Sequence, residues 1–284
     1  MFSLKLKSEI FEFRQPLIMG IVNVNEDSFY KYSRVSSVED AYKKISLMFE
    51  EGADIIDIGA MSSRSGADLI SVKEEWKRLE PVLKIIQKKF SDKIFSLDTI
   101  NSETAHRAIS DYGIDIINDI SSGEIDTKIP EIVAEYSVPY IIMHMRGVPA
   151  TMNNLTQYEN FPGDIIKYFS EKINFFHSLG IHDIIIDPGF GFSKTLDQNY
   201  ILLKNLDSFK IFERPILVGI SRKSMIYRFL NITPEESLNA TTALHAYCLE
   251  KGANILRVHD VKEAQQVVEL FLKLKDNNIF LLKS

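Results

Sequence analysis

Eight short apolar runs in this chain end in residues equipped for chemistry. Their ends supply Asn23; Asp57, followed by a stretch reaching Arg64; Asp98; Asn118 and Asp119; His144 and Arg146; Asp187; Arg222 and Lys223; and Arg257 with His259. The set joins carboxylates and amides, which orient and accept hydrogen bonds, to cations that can hold an anion. Arg257 and His259 stand two apart at a strand-like end, so their side chains leave one face and can grip a single anion together. A lone histidine there would read as structural; its neighbour Arg257 favours binding. The run "LVGISRKS" ends in two adjacent cations, Arg222 and Lys223, where the plain alternative is a solvated strand end. No combination of nucleophile, base and orienting group is visible.

These residues need elements to bring them together. The runs "LIMGIVNV", "DIIDIG", "KIFSLDT", "GIDIINDI", "PYIIMHM", "DIIIDPG", "PILVGIS" and "NILRVHD" have the composition of strands buried on both faces. Between them, 38–51, 72–90, 102–112, 165–179 and 235–251 carry helical spacing, and Gly52, Gly113, Gly180 and Gly252 stand where left-handed helix ends are wanted. Eight strands alternating with helices, without a linker or low-complexity break, predict an α/β chain folded as a single-domain (β/α)8 TIM barrel over residues 1–284. In that architecture the strand ends converge on one mouth, which is where the chemistry sits.

Composition sets the bounds. The chain has 284 residues, 45% hydrophobic and 25% charged, enough for a sizeable core. A formal net charge of −6 argues against a surface built for nucleic acid or anionic membrane, so any anionic ligand must be met by local cations. The only cysteine is Cys248, which excludes an internal disulfide and predicts a reducing, cytoplasmic setting. The first fifteen residues mix charges among apolar residues too often for a signal peptide.

Taken in order, "GIVNVNEDSF", "DIIDIGAMSSRSGA", "SLDT", "INDI", "MHMRGVPATM", "IIDPGFGFSKTLDQN", "LVGISRKS" and "LRVHDV" resemble the dihydropteroate synthases of folate biosynthesis, over about residues 19–261. The resemblance implies a transferase that joins 4-aminobenzoate to 6-hydroxymethyl-7,8-dihydropterin diphosphate, giving 7,8-dihydropteroate and diphosphate by a dissociative substitution. It further implies that Asp98, Asn118, Asp187, Lys223 and Phe192 hold the pterin, with Asp187 able to make two parallel charge-assisted bonds to the guanidine-like ring edge. Ser224, Lys223, Phe29 and Ser65 would meet the aminobenzoate. Asn23, Ser63, Arg64, Arg257 and His259 would meet the diphosphate, and Arg64, Lys223, Arg257 and His259 would carry the catalysis. Asn23 would also help hold Mg²⁺, an ion that accepts few protein ligands and many phosphate or water oxygens. The implied assembly is a homodimer, with small-molecule substrates as the only partners.

The chain leaves the family pattern in two loops. Asn25-Glu26 stand for Thr-Pro, Ala60-Met61 for Gly-Glu, Ser63 for Thr, and Ser65 for the Pro of Thr-Arg-Pro-Gly. Handling of the second substrate, and with it sensitivity to sulfonamides, is therefore expected to differ. Two rival functions share the barrel: a pterin-binding methyltransferase of the methyltetrahydrofolate type, which has no use for a diphosphate grip, and a non-catalytic pterin-binding paralogue, which would be expected to lose site residues. "GFGFSKT" is not a P-loop, because Ser193 stands where a glycine is required. A Schiff-base role for Lys223 fits its cationic neighbours less well than diphosphate release.

Overall fold

The computed structural model describes residues 2–7, 9–24, 37–61, 66 and 68–276. Eight parallel strands form the barrel: β3 (Leu17–Asn23), β4 (Ile55–Gly59), β5 (Ile94–Asp98), β6 (Ile116–Asp119), β7 (Tyr140–Met143), β8 (Ile184–Asp187), β9 (Leu217–Val218) and β10 (Ile255–Val258). Their order is β8-β7-β6-β5-β4-β3-β10-β9. A parallel bridge between Ile186 and Ile216, with Ile186 N–H donating to Pro215 O at 2.9 Å, closes the ring from β8 to β9. Each of the eight apolar runs is one of these strands.

Helices cover the outside: α1 (Val38–Glu50), α2 (Val72–Lys89), α3 (Ser102–Tyr112), α4 (Ile129–Tyr136), α5 (Gly163–Ser178), α6 (Leu196–Lys204), α7 (Ser224–Leu230), α8 (Leu238–Lys251) and α9 (Val261–Lys275). Their starts follow capping chemistry. Ser37 accepts from Asp40 N–H at 3.0 Å, Ser71 accepts from Glu74 N–H at 3.2 Å, and Thr195 with Gln198 forms a reciprocal capping box. The stretch 235–238 opens with a 3₁₀ turn before α8, so that helix begins three residues later than its spacing predicts. None of the described helices is long and apolar enough to cross a membrane.

Strand alternation divides the core in two. Residues facing the helices, such as Ile18, Ile56, Leu97, Ile117, Ile142 and Ile186, belong to the outer cluster. Those facing the barrel axis form a separate floor of Leu17, Met19, Ile55, Ile116, Ile141, Ile185, Leu217 and Ile255. An antiparallel hairpin, β1 (Phe2–Leu6) and β2 (Glu9–Phe13), plugs that floor with Leu4, Leu6 and Phe13. Each of these buried side chains contributes about 1.5–3 kcal/mol. Between helix and strand the chain repeats one device: Asp54, Asp115 and Asn254 accept from Ile18, Phe95 and Ile216 N–H at 2.8, 2.9 and 2.9 Å, tying the lower rim together.

Candidate active site

One step of two above the apolar floor, the same inward face turns polar. Ile55 is followed inward by Asp57, Ile94 by Ser96 and Asp98, Ile116 by Asn118, Ile185 by Asp187, and Ile255 by Arg257. The guanidinium of Arg257 donates through Nε to Asp57 Oδ2 at 2.7 Å and through Nη2 to Asp98 Oδ2 at 2.9 Å. Asn118 Nδ2 donates to the same Asp57 oxygen at 3.0 Å. Burial pushes the Asp98 carboxyl up to about 7, against the pull of Arg257 and with the push of Asp57. Arg257 is held charged: burial opposes its proton, and Asp57 and Asp98 more than offset that.

The second half of the site gathers around the turn after β8. Asp187 Oδ1 accepts from Gly189 N–H at 2.8 Å. Burial raises this carboxyl too, and Lys223 is the leading opposing charge. Lys223 donates its Nζ to Phe190 O and lies 4.6 Å from the ring centre of Phe192. Burial brings its ammonium down to about 8, with Asp187 pulling the other way. Phe192 belongs to a small apolar cluster with Met61, Ile100, Ile120, Met143, Met145 and Met152, which walls the mouth on the β4 to β8 side.

At the β9 and β10 ends, His259 donates its backbone N–H to Ser221 Oγ at 3.2 Å, and its Nδ1 lies 3.1 Å from the same oxygen. Burial, then the cations Lys44, Arg257, Arg222 and Lys223, bring the imidazole down to about 3, so it is neutral in the free protein. Ser224 opens α7 directly after Lys223. Asn23 ends β3, half-buried and in register with Gly59. Phe29, Ser63, Arg64 and Ser65, with Asn25 and Glu26, lie outside the described residues.

Several strand-end residues face elsewhere, and parity explains why. Asp119 follows Asn118 and turns outward, accepting from Tyr140 Oη, Ser121 N–H and Oγ, and Gly123 N–H, each at 2.7 Å. His144 sits behind the mouth against Lys194, and Arg146 stacks 3.9 Å from the Tyr158 ring centre. Arg222 pairs with Asp260 at 2.8 and 2.9 Å and with two carbonyls, buried behind the rim. Ser221, Lys194 and Asp57's bridging role were not legible beforehand. Ser221 had one available signal, a position two before Lys223 at the end of the same run.

Comparison with known proteins fits this geometry. A family model described as pterin binding enzyme matches residues 19–259. The dihydropteroate synthase of Escherichia coli strain K12 is 42% identical over 267 residues, covering 92% of this chain and 94% of its own. The Yersinia pestis dihydropteroate synthase, solved with a sulfonamide drug complex, superposes with a TM-score of 0.91 at 34% identity, covering 96% and 99% of the two chains. The Xanthomonas albilineans dihydropteroate synthase, solved with 4-aminobenzoic acid, gives 0.87 at 31%, covering 96% and 98%.

Proposed function

The chain belongs to the family of pterin binding enzymes, and from that premise we propose that it condenses 6-hydroxymethyl-7,8-dihydropterin diphosphate with 4-aminobenzoate, releasing diphosphate and 7,8-dihydropteroate. The observation that carries this reading is the inward polar layer: Asp98, Asn118 and Asp187 come from three strands, with Arg257 held among them and Lys223 over Phe192. A flat heterocycle rich in donors and acceptors needs that many convergent groups, and apolar faces such as Phe192 and Met145 beside them. Asp187 accepts from the guanidine-like edge. Asp98, poised near 7, can meet either a donor or an acceptor on the ring.

The reaction needs charge stabilisation more than proton abstraction. The bond from the pterin methylene carbon to the bridging oxygen breaks, its electron pair leaves with diphosphate, and the pterin ring electrons stabilise the methylene cation. The aniline nitrogen then forms the new C–N bond and releases a proton to solvent. Arg257, His259 and Arg64 are the leaving-group donors in this reading, with Ser63 beside them. With Ser221 Oγ–H donating to Nδ1, the His259 proton sits on Nε2, the tautomer that can donate to an anion. Ser224, Lys223, Phe29 and Ser65 receive the aminobenzoate.

No group of three or more His, Cys, Asp or Glu among the described residues could hold a metal ion. The one implied ligand, the Asn23 amide oxygen, fits an ion that arrives with the diphosphate and keeps phosphate and water oxygens as its other ligands. Mg²⁺ held that way would neutralise charge on the leaving group.

A cytoplasmic homodimer built through the C-terminal helices completes the proposal. Exposed apolar side chains on α7 to α9, Phe229, Leu230, Tyr247, Leu270 and Leu274, support that surface, and light scattering tests it. Sulfonamides, as aminobenzoate mimics, are expected to compete at the second-substrate site. The deciding experiment measures diphosphate release from the pterin diphosphate with and without 4-aminobenzoate. Release tied to dihydropteroate formation is expected; methyl transfer from methyltetrahydrofolate without diphosphate chemistry would overturn the reading.

A further inference from the structure

Lys194 is a buried lysine that none of the roles above uses. It lies directly behind the turn that presents Asp187. Its Nζ is 2.8 Å from Gly189 O, 3.0 Å from Phe192 O, 3.1 Å from His144 Nδ1 and 3.4 Å from His144 O. Only 9% of the residue is exposed. The partners are three carbonyl oxygens and one ring nitrogen, four acceptors that share the three donors of an ammonium. The turn it grips has no slack: Gly189 has φ +74, and a Cβ there would lie 2.1 Å from His144 O. Gly189 also supplies the N–H that fixes Asp187 Oδ1 at 2.8 Å. From the mouth side Lys223 holds the next carbonyl, Phe190 O. The segment between Asp187 and Phe192 is therefore clamped by one ammonium from the front and another from behind.

We propose that Lys194 is a positioning residue for pterin recognition: its ammonium locks the Asp187–Gly189 turn and, through its charge, keeps the Asp187 carboxylate ionised for the ring edge. This rests on the reading of Asp187 as the pterin carboxylate. The charged groups facing Asp187 are Lys223 from the β9 end, Arg257 from β10 and Lys194 from its own loop, and all three favour the ionised form. Facing Lys194 are Asp187, which supports its charge, Lys223 and Arg146, which oppose it, and His144, whose imidazole is held neutral by burial and by Lys194 itself. Burial lowers the Lys194 ammonium well below the usual lysine range; Asp187 is the charge that works against that.

The test is calorimetric binding of 6-hydroxymethylpterin, which carries no diphosphate, from pH 4.5 to 8 in wild type, Lys194→Gln, Lys194→Met and Asp187→Asn. Gln keeps donors for the carbonyls and removes the charge. In wild type the affinity falls on the acid side as Asp187 takes up a proton, and Asp187→Asn lacks that limb. In Lys194→Gln the limb moves up by about one pH unit, giving roughly tenfold weaker binding on the acid side of the limb and little loss above it. An unmoved limb in folded Lys194→Gln overturns the inference. If both Lys194 variants fail to fold, nitrogen-15 NMR of wild-type lysines at pH 7 decides: an ammonium at Lys194 supports the proposal and a neutral amine overturns it. A wild type that binds no pterin at any pH overturns the pterin reading itself, and with it this role.

Discussion

Replacing Arg257 by Met tests whether the centre of the site is held by charge. Met keeps most of the length and removes the cation that donates to Asp57 at 2.7 Å and to Asp98 at 2.9 Å. Asp57 is fully buried and Asp98 is 8% exposed, so truncation leaves two buried carboxylates short of their main partner. Breaking a buried pair in this way costs about 3–5 kcal/mol. The pH dependence separates charge loss from a packing defect. Asp98 stands at about 7 in the fold against 3.8 unfolded, so the native state binds its proton more tightly. Stability from this group is fully present below 3.8 and is lost as pH rises through 7. Without Arg257 the folded carboxyl rises further. Above pH 7 the variant then retains a proton that the wild type has released. The stability gap is therefore smallest below about pH 6 and widens above pH 7, by up to roughly 1.4 kcal/mol per pH unit until the variant also ionises. Urea unfolding of both proteins at pH 5.5, 7 and 8.5 measures this. A gap that stays flat across the three, or stays below about 1 kcal/mol, would refute the charge-held centre.

Three further outcomes are expected. Asp187→Asn keeps shape and loses the paired charge-assisted bonds, so pterin affinity falls by about 1.5–3 kcal/mol with the melting temperature little changed; calorimetry showing unaltered affinity removes Asp187 from the pterin site. Lys223 titrates near 8, and its ammonium is the form that donates, so pterin binding weakens as pH rises through 8; the limb disappears in Lys223→Met, and a limb that persists there belongs to another group. On the proposed reading, in which Ser65 meets the aminobenzoate, Ser65→Pro removes backbone freedom worth about 0.4–1 kcal/mol and is expected to lower the sulfonamide inhibition constant relative to the aminobenzoate Michaelis constant; an unchanged ratio ends that argument.

Much of this molecule is written in plain periodicity. The eight strands were legible because a run buried on both faces has a composition no loop shares. The polar residues of the inward layer, Asp57, Asp98, Asn118, Asp187 and Arg257, were legible as strand ends because each closes such a run. What the runs did not say was which polar residue turned inward. Asn118 and Asp119 are adjacent, yet one reaches Asp57 and the other braces the loop after β6. Counting in twos from Ile116 separates them, as counting from Ile141 puts His144 on the outer face. The hairpin β1 and β2 carries its own signal in the alternation of "FSLKL". Lys194 gave none. A lysine in a glycine-rich turn reads as solvated or phosphate-binding, and only the closing of that turn on Asp187 buries it. Ser221 likewise depends on β9 and β10 lying side by side.

The bond from Asp57 to Arg257 spans 200 residues. Its two carriers lie on β4 and on β10, the last barrel strand among the described residues to be made, which pairs with β3 and β9 to complete the ring. Contacts so distant in sequence form late in folding, after shorter loops have closed. Ligand affinity is thus a report on ring completion: a nascent chain that has extruded seven of the eight barrel strands carries most of the core and no working site. Pterin added during refolding should bind only the finished barrel, and so draw the closing step toward completion by mass action.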